Sequence, residues 1–256
     1  MNSYKSILVN FNQQAVTITL NRPDIGNGIN KVLLSELFEV FNSIEGNPLV
    51  KVVILEGQTS IFCNGMDFQQ IINVEESSAH NDEMDIYYEL LKKMATCSKV
   101  IITKIEGKVN AGGIGFVAVS DIAVAGENAL FSLSEMLFGL IPACVLPFLI
   151  RRIGHQKAQW MTLVSHEIKA KRAYEIGLVD ELNTNVDTYI KRLLIRLTKL
   201  EIETISELKK YMWKLWIIDE DTQKIAVNKI KGLINSQEVQ NNITQFVNNG
   251  KLPWDK

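Results

Sequence analysis

The sequence predicts an α/β fold whose C-terminal part is helical. Three observations lead there. In the first half, short apolar or alternating segments are separated by stretches of helical spacing, which argues for a parallel or mixed sheet with helical cover. After Pro147 strand signals nearly vanish, helical periodicity runs to Asn248, and no further proline occurs before Pro253. Hydrophobic residues make up 46% and charged residues 22%, which supplies a sizeable core and argues against disorder.

The elements follow in order. Val16 to Leu20 alternates and ends at Asn21-Arg22-Pro23, a strand and then a turn. Lys31 to Ile44 carries Leu33, Leu34, Leu37, Phe38 and Phe41 at helical spacing. Lys51 to Gly57 is a short strand apolar on both faces, Met84 to Met94 a helix, and Val100 to Ile105 a further strand. Asp121 to Gly126 and Ala129 to Leu133 give two more strands. In the tail, Leu193, Leu194, Leu197 and Leu200, then Leu208, Tyr211, Met212 and Leu215, mark helices. The division expected is a core with the site over 1–190 and a helical covering or oligomerising region over 191–256.

Composition narrows the class. The formal net charge is −2, and the densest basic cluster, Lys169, Lys171 and Arg172, reads as a solvated helix start, so no nucleic-acid partner is expected. Cys63, Cys97 and Cys144 have no metal-ligand spacing, and an odd count argues against a disulfide framework. The long uncharged run Met136 to Ile150 is interrupted by Pro142 and Pro147 and is too short to span a membrane. Residues 1–14 hold no apolar signal core. A cytoplasmic, reduced enzyme without metal or membrane partner is the expectation.

Two glycine-containing turns could carry chemistry: Phe62-Cys-Asn-Gly-Met-Asp-Phe68 and Asn110-Ala-Gly-Gly-Ile-Gly-Phe116, each leading from a strand toward a helix. Such turns leave amides unpaired at the positive end of a helix dipole. Side by side, they could hold one carbonyl oxygen between two N–H groups, as enolate chemistry on a thioester requires. Tight packing is the plain alternative. Gly113-Ile-Gly-Phe-Val-Ala118 also matches a dinucleotide-binding fingerprint, but Asp121 opens a strand too soon for the helix that motif needs. Glu135 follows a strand inside an apolar stretch, where desolvation raises a carboxyl pKa and suits it to proton transfer. The alternative is a capping box with Ser132. His80, His155 and His166 have no nucleophile motif beside them.

Together these segments resemble the crotonase (enoyl-CoA hydratase) superfamily from about Val16 to Asp180. The resemblance rests on Asn21-Arg-Pro23, Phe62 to Asp67, Gly107 to Gly113, Ser120 to Ala125, Glu135 to Pro142, and Ala173 to Val179. It implies the crotonase fold, in which repeated ββα-type units form a twisted sheet core, and a homotrimer or dimer of trimers. It puts the two oxyanion amides on Met66 and Gly112 and a catalytic carboxylate on Glu135. A second carboxylate common in that superfamily falls on Gly115, and a CoA-binding lysine falls on Gln69. Asp67, Tyr88, Gly113, Gly115, Pro142 and Cys144 are the expected substrate-binding positions, with Gly115 leaving room for a branched acyl group or a water.

The run Gly107 to Ile153 is most similar to the PksH-type dehydratases of polyketide β-branching. That narrower resemblance implies dehydration of a hydroxymethylglutaryl group on an acyl carrier protein to the methylglutaconyl thioester. The phosphopantetheine arm of the carrier, or CoA, would belong to the substrate, and no other cofactor is implied. Arg151 and Arg152 are expected to meet the acidic carrier surface. An enoyl-CoA hydratase or isomerase of fatty-acid metabolism, or an inactive scaffold of the same fold, are the rival readings.

Overall fold

The computed structural model describes residues 4–69, 77–216 and 219–255, the first five of the second segment in their backbone alone. Two sheets form the centre. The larger has the order β1 (Ile7–Asn12), β2 (Ala15–Leu20), β3 (Val52–Glu56), β5 (Val100–Ile105), β7 (Ile122–Ala125) and β10 (Glu181–Leu182). The smaller has β4 (Ile61–Cys63), β6 (Lys108–Asn110), β8 (Leu130–Ser132) and β9 (Ile168–Lys169). Successive strand pairs β3–β4, β5–β6 and β7–β8 each put one strand in each sheet, so the chain winds through repeated ββα-type units as expected.

Between them run α1 (Lys31–Glu45), α2 (Ser77–Thr96) and α3 (Gly112–Val119). Helices α4 (Leu146–Ile153), α5 (His155–Val164) and α6 (Ala170–Glu175) follow. The tail holds α7 (Val186–Leu197), α8 (Ile202–Lys214), α9 (Glu220–Ile234) and α10 (Gln237–Asn249).

Local sequence explains the main elements. Asn30 caps α1, its side-chain oxygen accepting from the Leu33 amide at 2.9 Å, and Leu33, Leu37 and Phe41 lie along the buried face. In β3 the side chains alternate between two packed layers. Val53 and Leu55 join the main core, while Val52 and Ile54 join a second layer with Val186, Ile190 and Ile205 of α7 and α8. Burial on both faces is why this strand reads as a continuous apolar run. Lys209 fixes α8 from within, donating to Asp121 at 2.7 Å and to the Lys99 carbonyl at 3.0 Å.

Some elements lie outside the sequence reading. β1 pairs antiparallel with β2 across a tight turn in which Gln13 takes a left-handed conformation, φ 53°; no glycine or Asn-Gly pair announces it. β4, β6, β9 and β10 are two or three residues long, too short to show alternation. The boundary drawn at residue 190 falls inside α7. The residues beyond it are joined to the site: α9 pairs with α2 through Lys231 and Asp85, and Asn242 of α10 donates to the Phe138 carbonyl at 3.3 Å.

Candidate active site

Three parallel strands of the small sheet assemble the site. β4 pairs with β6 (Cys63 opposite Val109) and β6 with β8 (Asn110 opposite Ser132). Each strand therefore ends at the same edge, and two or three residues further on stand Met66, Gly112 and Glu135. Ligand sites in parallel sheets form at such carboxyl ends.

The first turn is fixed by a parallel bridge between Ile29 and Met66. Ile29 N–H donates to the Gly65 carbonyl at 2.7 Å, and Asp67 N–H donates to the Ile29 carbonyl at 2.9 Å. The residue between the two bonded positions turns its own amide the other way, so Met66 N–H is directed off the bridge. The second turn opens α3. Ala111 holds φ 48° and ψ −122°, a strained backbone for a residue with a Cβ, and this conformation presents Gly112 N–H as the first amide of the helix. Neither amide donates to a protein acceptor among the described residues. The turns touch: a Cβ placed on Gly65 would lie 2.7 Å from the Ala111 Cβ and 3.3 Å from the Gly112 nitrogen.

Polar bonds tie the second turn to the segment that carries Glu135. Ala111 N–H donates to the Ser132 carbonyl at 3.0 Å. The Ser132 hydroxyl donates to the Asn110 amide oxygen at 2.8 Å, and the Asn110 amide nitrogen donates to the Ser134 hydroxyl at 2.9 Å. With Ser132 engaged in this way and Ser134 the residue before the short 3-10 turn Glu135–Phe138, the capping box is not formed. Glu135 is buried, its Oε2 has no hydrogen-bond partner among the described residues, and burial raises its carboxyl pKa to about 7, opposed only by its own backbone amide. The dinucleotide fingerprint also fails: Gly113 and Gly115 lie inside α3, which is eight residues long.

These groups border a cleft of about 650 Å³. Met66, Asp67, Gln69, Gly112, Glu135, Pro142 and Cys144 line it. Tyr88, Gly113 and Gly115 do not, which corrects their expected placement. Tyr88 is turned into the core against Phe148, ring centres 5.3 Å apart. Gly113 faces β4, where a Cβ would lie 2.5 Å from the Cys63 carbonyl oxygen. Gly115 offers no empty space, because a Cβ there would lie 2.1 Å from the hydroxyl of Tyr87. Tyr87 lines the cleft and donates to the Gly112 carbonyl at 2.5 Å. Helical spacing does not separate the two tyrosines: each stands three or four residues from Met84 and from Leu91.

Asp67 is ion-paired with Arg22 at 3.2 Å, and burial pushes the Cys144 thiol up to about 12, so the thiol stays protonated near neutral pH. Lys108, paired with Glu167 at 3.2 Å, is the one cation among the described lining residues. The apolar part of the lining includes Ile230, Ile234 and Phe246 of the tail; Phe246 stacks edge-on with Phe138, ring centres 5.1 Å apart. Arg152 cannot serve a carrier surface. Its side chain is buried, donates to the carbonyls of Leu178 and Ser120, and pairs with Asp180. His155 is exposed at the start of α5, and His166 packs edge-on against Trp160 away from the cleft. The side chain of His80 lies outside the described residues.

Two strand-end turns and a buried carboxylate thus border one cleft. The chain belongs to the enoyl-CoA hydratase/isomerase family, whose model matches residues 10–256. Among relatives, it is 39% identical over 254 residues to the bacillaene synthase dehydratase PksH of Bacillus subtilis (strain 168), covering 99% of this chain and 98% of the relative. It is 28% identical over 177 residues to the 2,3-dehydroadipyl-CoA hydratase of Escherichia coli (strain K12), covering 69% of this chain and 68% of that protein. The fold superposes on the crystal structure of a B. subtilis protein assigned as a polyketide biosynthesis enoyl-CoA hydratase (pksH), with a TM-score of 0.90 and 38% identity over 98% of this chain and 100% of that one.

Proposed function

We propose that the protein dehydrates a hydroxymethylglutaryl group carried on an acyl carrier protein, giving the methylglutaconyl thioester during polyketide β-branching. The observation that carries this reading is Glu135, a buried carboxylate whose Oε2 has no partner among the described residues, in a chain that aligns over 254 residues with a polyketide dehydratase. The thioester carbonyl lies between the Met66 and Gly112 amides. The Glu135 carboxylate takes the α-proton while negative charge collects on the carbonyl oxygen, where the amides stabilise it. The C–O bond to the β-hydroxyl then breaks, the double bond forms, and Glu135 returns the proton to the departing oxygen. Water leaves and the carboxylate is restored. A group with a pKa near 7 can do both transfers, since it neither holds nor releases the proton too firmly at neutral pH.

Purified protein offered hydroxymethylglutaryl groups on a carrier protein and on CoA, and crotonyl-CoA, tests the reading by mass spectrometry. The highest kcat/KM is expected with the carrier-bound substrate. Gln69 stands where a lysine could meet CoA phosphates, and a neutral amide offers them no charge. A preference for crotonyl-CoA would return the protein to CoA-linked hydration, and no turnover of any thioester would leave an inactive scaffold.

Self-association belongs to the same reading. Leu208, Tyr211, Met212 and Leu215 on α8 and the residues just after it, with Ile225 on α9, expose a run of large apolar side chains that a second and third copy would cover. Light scattering is expected to show a trimer or a hexamer; a monomer at micromolar concentration would remove the claim.

A further inference from the structure

We propose that Tyr87 is a substrate-binding residue of this reaction: its hydroxyl oxygen accepts a hydrogen bond from the substrate's β-hydroxyl and so orients the leaving group. The inference rests on the dehydratase reading above and deepens it.

The ring of Tyr87 reaches over the first turn of α3 only because two positions there lack side chains. A Cβ at 115 would lie 2.1 Å from the hydroxyl and 3.2 Å from Cζ, and a Cβ at 112 would lie 3.5 Å from the hydroxyl. Phe116 holds the ring edge-on, with ring centres 5.9 Å apart at 82°. The space that any side chain at 115 would fill is thus occupied by a polar atom delivered from another helix. Tyr87 lines the cleft together with Gly112 and Glu135.

The hydrogen-bond inventory sets what it can do. A phenol has one hydrogen and two lone pairs. The hydrogen goes to the Gly112 carbonyl. The oxygen therefore remains an acceptor, and a substrate in the cleft is the partner proposed for its lone pairs. Burial, with smaller contributions from Cys144, Cys63 and Glu135, raises its ionisation well above the ordinary tyrosine range, so it stays neutral and keeps its own proton. The group that fits a neutral acceptor next to the carbonyl pocket is a hydroxyl. With its hydrogen directed to Tyr87, the β-oxygen keeps its lone pairs free for the proton that Glu135 has just taken from Cα. In the complete step the Cα–H and Cβ–O bonds break, the double bond forms, and the β-oxygen leaves with its own hydrogen and the returned proton. Tyr87 is unchanged.

Tyr87→Phe keeps the ring and removes only the oxygen. Dehydration of the hydroxyacyl thioester is expected to fall by about tenfold or more, the worth of one buried neutral hydrogen bond. The infrared shift of the bound product's thioester carbonyl, which reports the two amides, is expected to stay as in the wild type. An equal loss of carbonyl polarisation and turnover would mean that Tyr87 only holds Gly112 in place, and the proposal would fall; unchanged turnover would also overturn it. Thermal stability checks the spatial claim independently. Gly115→Ala is expected to lower the melting temperature, and Tyr87→Phe with Gly115→Ala to recover part of it. A double variant no more stable than Gly115→Ala would show that the hydroxyl does not fill that space. A wild type that dehydrates no hydroxyacyl thioester would overturn the functional reading itself, before any substitution is made.

Discussion

Glu135→Gln is expected to abolish dehydration while leaving the protein at least as stable as before. The amide cannot accept the α-proton, and general acid–base catalysis by one group is typically worth about 10²–10⁴-fold. Here the same group takes and returns the proton, so the loss should reach at least that range. In the wild type kcat/KM should rise with pH through about 7, because only the carboxylate form can act as base and burial raises its pKa to that value. A folded Gln variant that loses less than about tenfold would mean that Glu135 is not the base.

The stability half of the prediction follows from the same burial. The carboxyl loses its proton near its ordinary 4.5 in the unfolded chain and near 7 in the folded protein. The native state therefore binds this proton more tightly. The stability gained from protonation is fully present below about 4.5 and is lost as pH rises through about 7. Ionising the buried group costs up to about 3 kcal/mol of folding stability at higher pH, at roughly 1.4 kcal/mol per pKa unit. Glu135→Gln has no such loss, so its melting temperature should exceed that of the wild type at pH 8.5 and the gap should close at pH 4.5. A variant less stable at pH 8.5 would show that the carboxylate is better solvated than the structure indicates.

The second large effect is expected at Gly65→Ala. Gly65 has φ 91°, a backbone that residues with a Cβ rarely adopt, and the new methyl would press on the Ala111 Cβ at 2.7 Å. Both costs fall on the junction between the turns that carry the Met66 and Gly112 amides. Relief requires the turns to part, and removing one oxyanion donor costs about 10²–10³ in kcat. A kcat loss of that order is expected, with a lower melting temperature. By contrast, Met66→Ala changes only a side chain of a residue that acts through its amide, and should lose far less. If Met66→Ala were the more damaging of the two, the amides would not be the working groups.

Much of the site was legible without a fold. Asn64-Gly65-Met66 and Ala111-Gly112-Gly113 were readable as glycine turns between strand and helix, though tight packing, the use Gly113 has against β4, reads the same way, and Glu135 stood out as a lone charge in an apolar run. The strands β3, β5, β7 and β8 were legible, because each lies in an apolar stretch of the chain, while the repeated unit came only from the family resemblance. The short strands β4 and β6, which bring the turns into register, were not legible, because polar residues and glycines break the run on either side, whereas the equally short β8 lies within Ala129 to Leu133.

What the sequence by itself determined was therefore the order of the longer elements, the family resemblance and the chemical types at the strand ends, all of which depend on neighbours in the chain. Only the tertiary structure decided that Tyr87 rather than Tyr88 faces the cleft, since adjacent helical residues point about 100° apart and their partners lie elsewhere in the sequence. The hydroxyl that fills the space at Gly115 bonds a carbonyl 25 residues away, and the tail residues Ile230, Ile234 and Phe246 close a cleft opened by residues near 66 and 112. Arg152, polar and at a helix end, reads as a surface residue until three acceptors from distant segments are seen around it. These placements depend on which surfaces meet when distant segments pack, and a local pattern of polarity and spacing carries no record of that meeting.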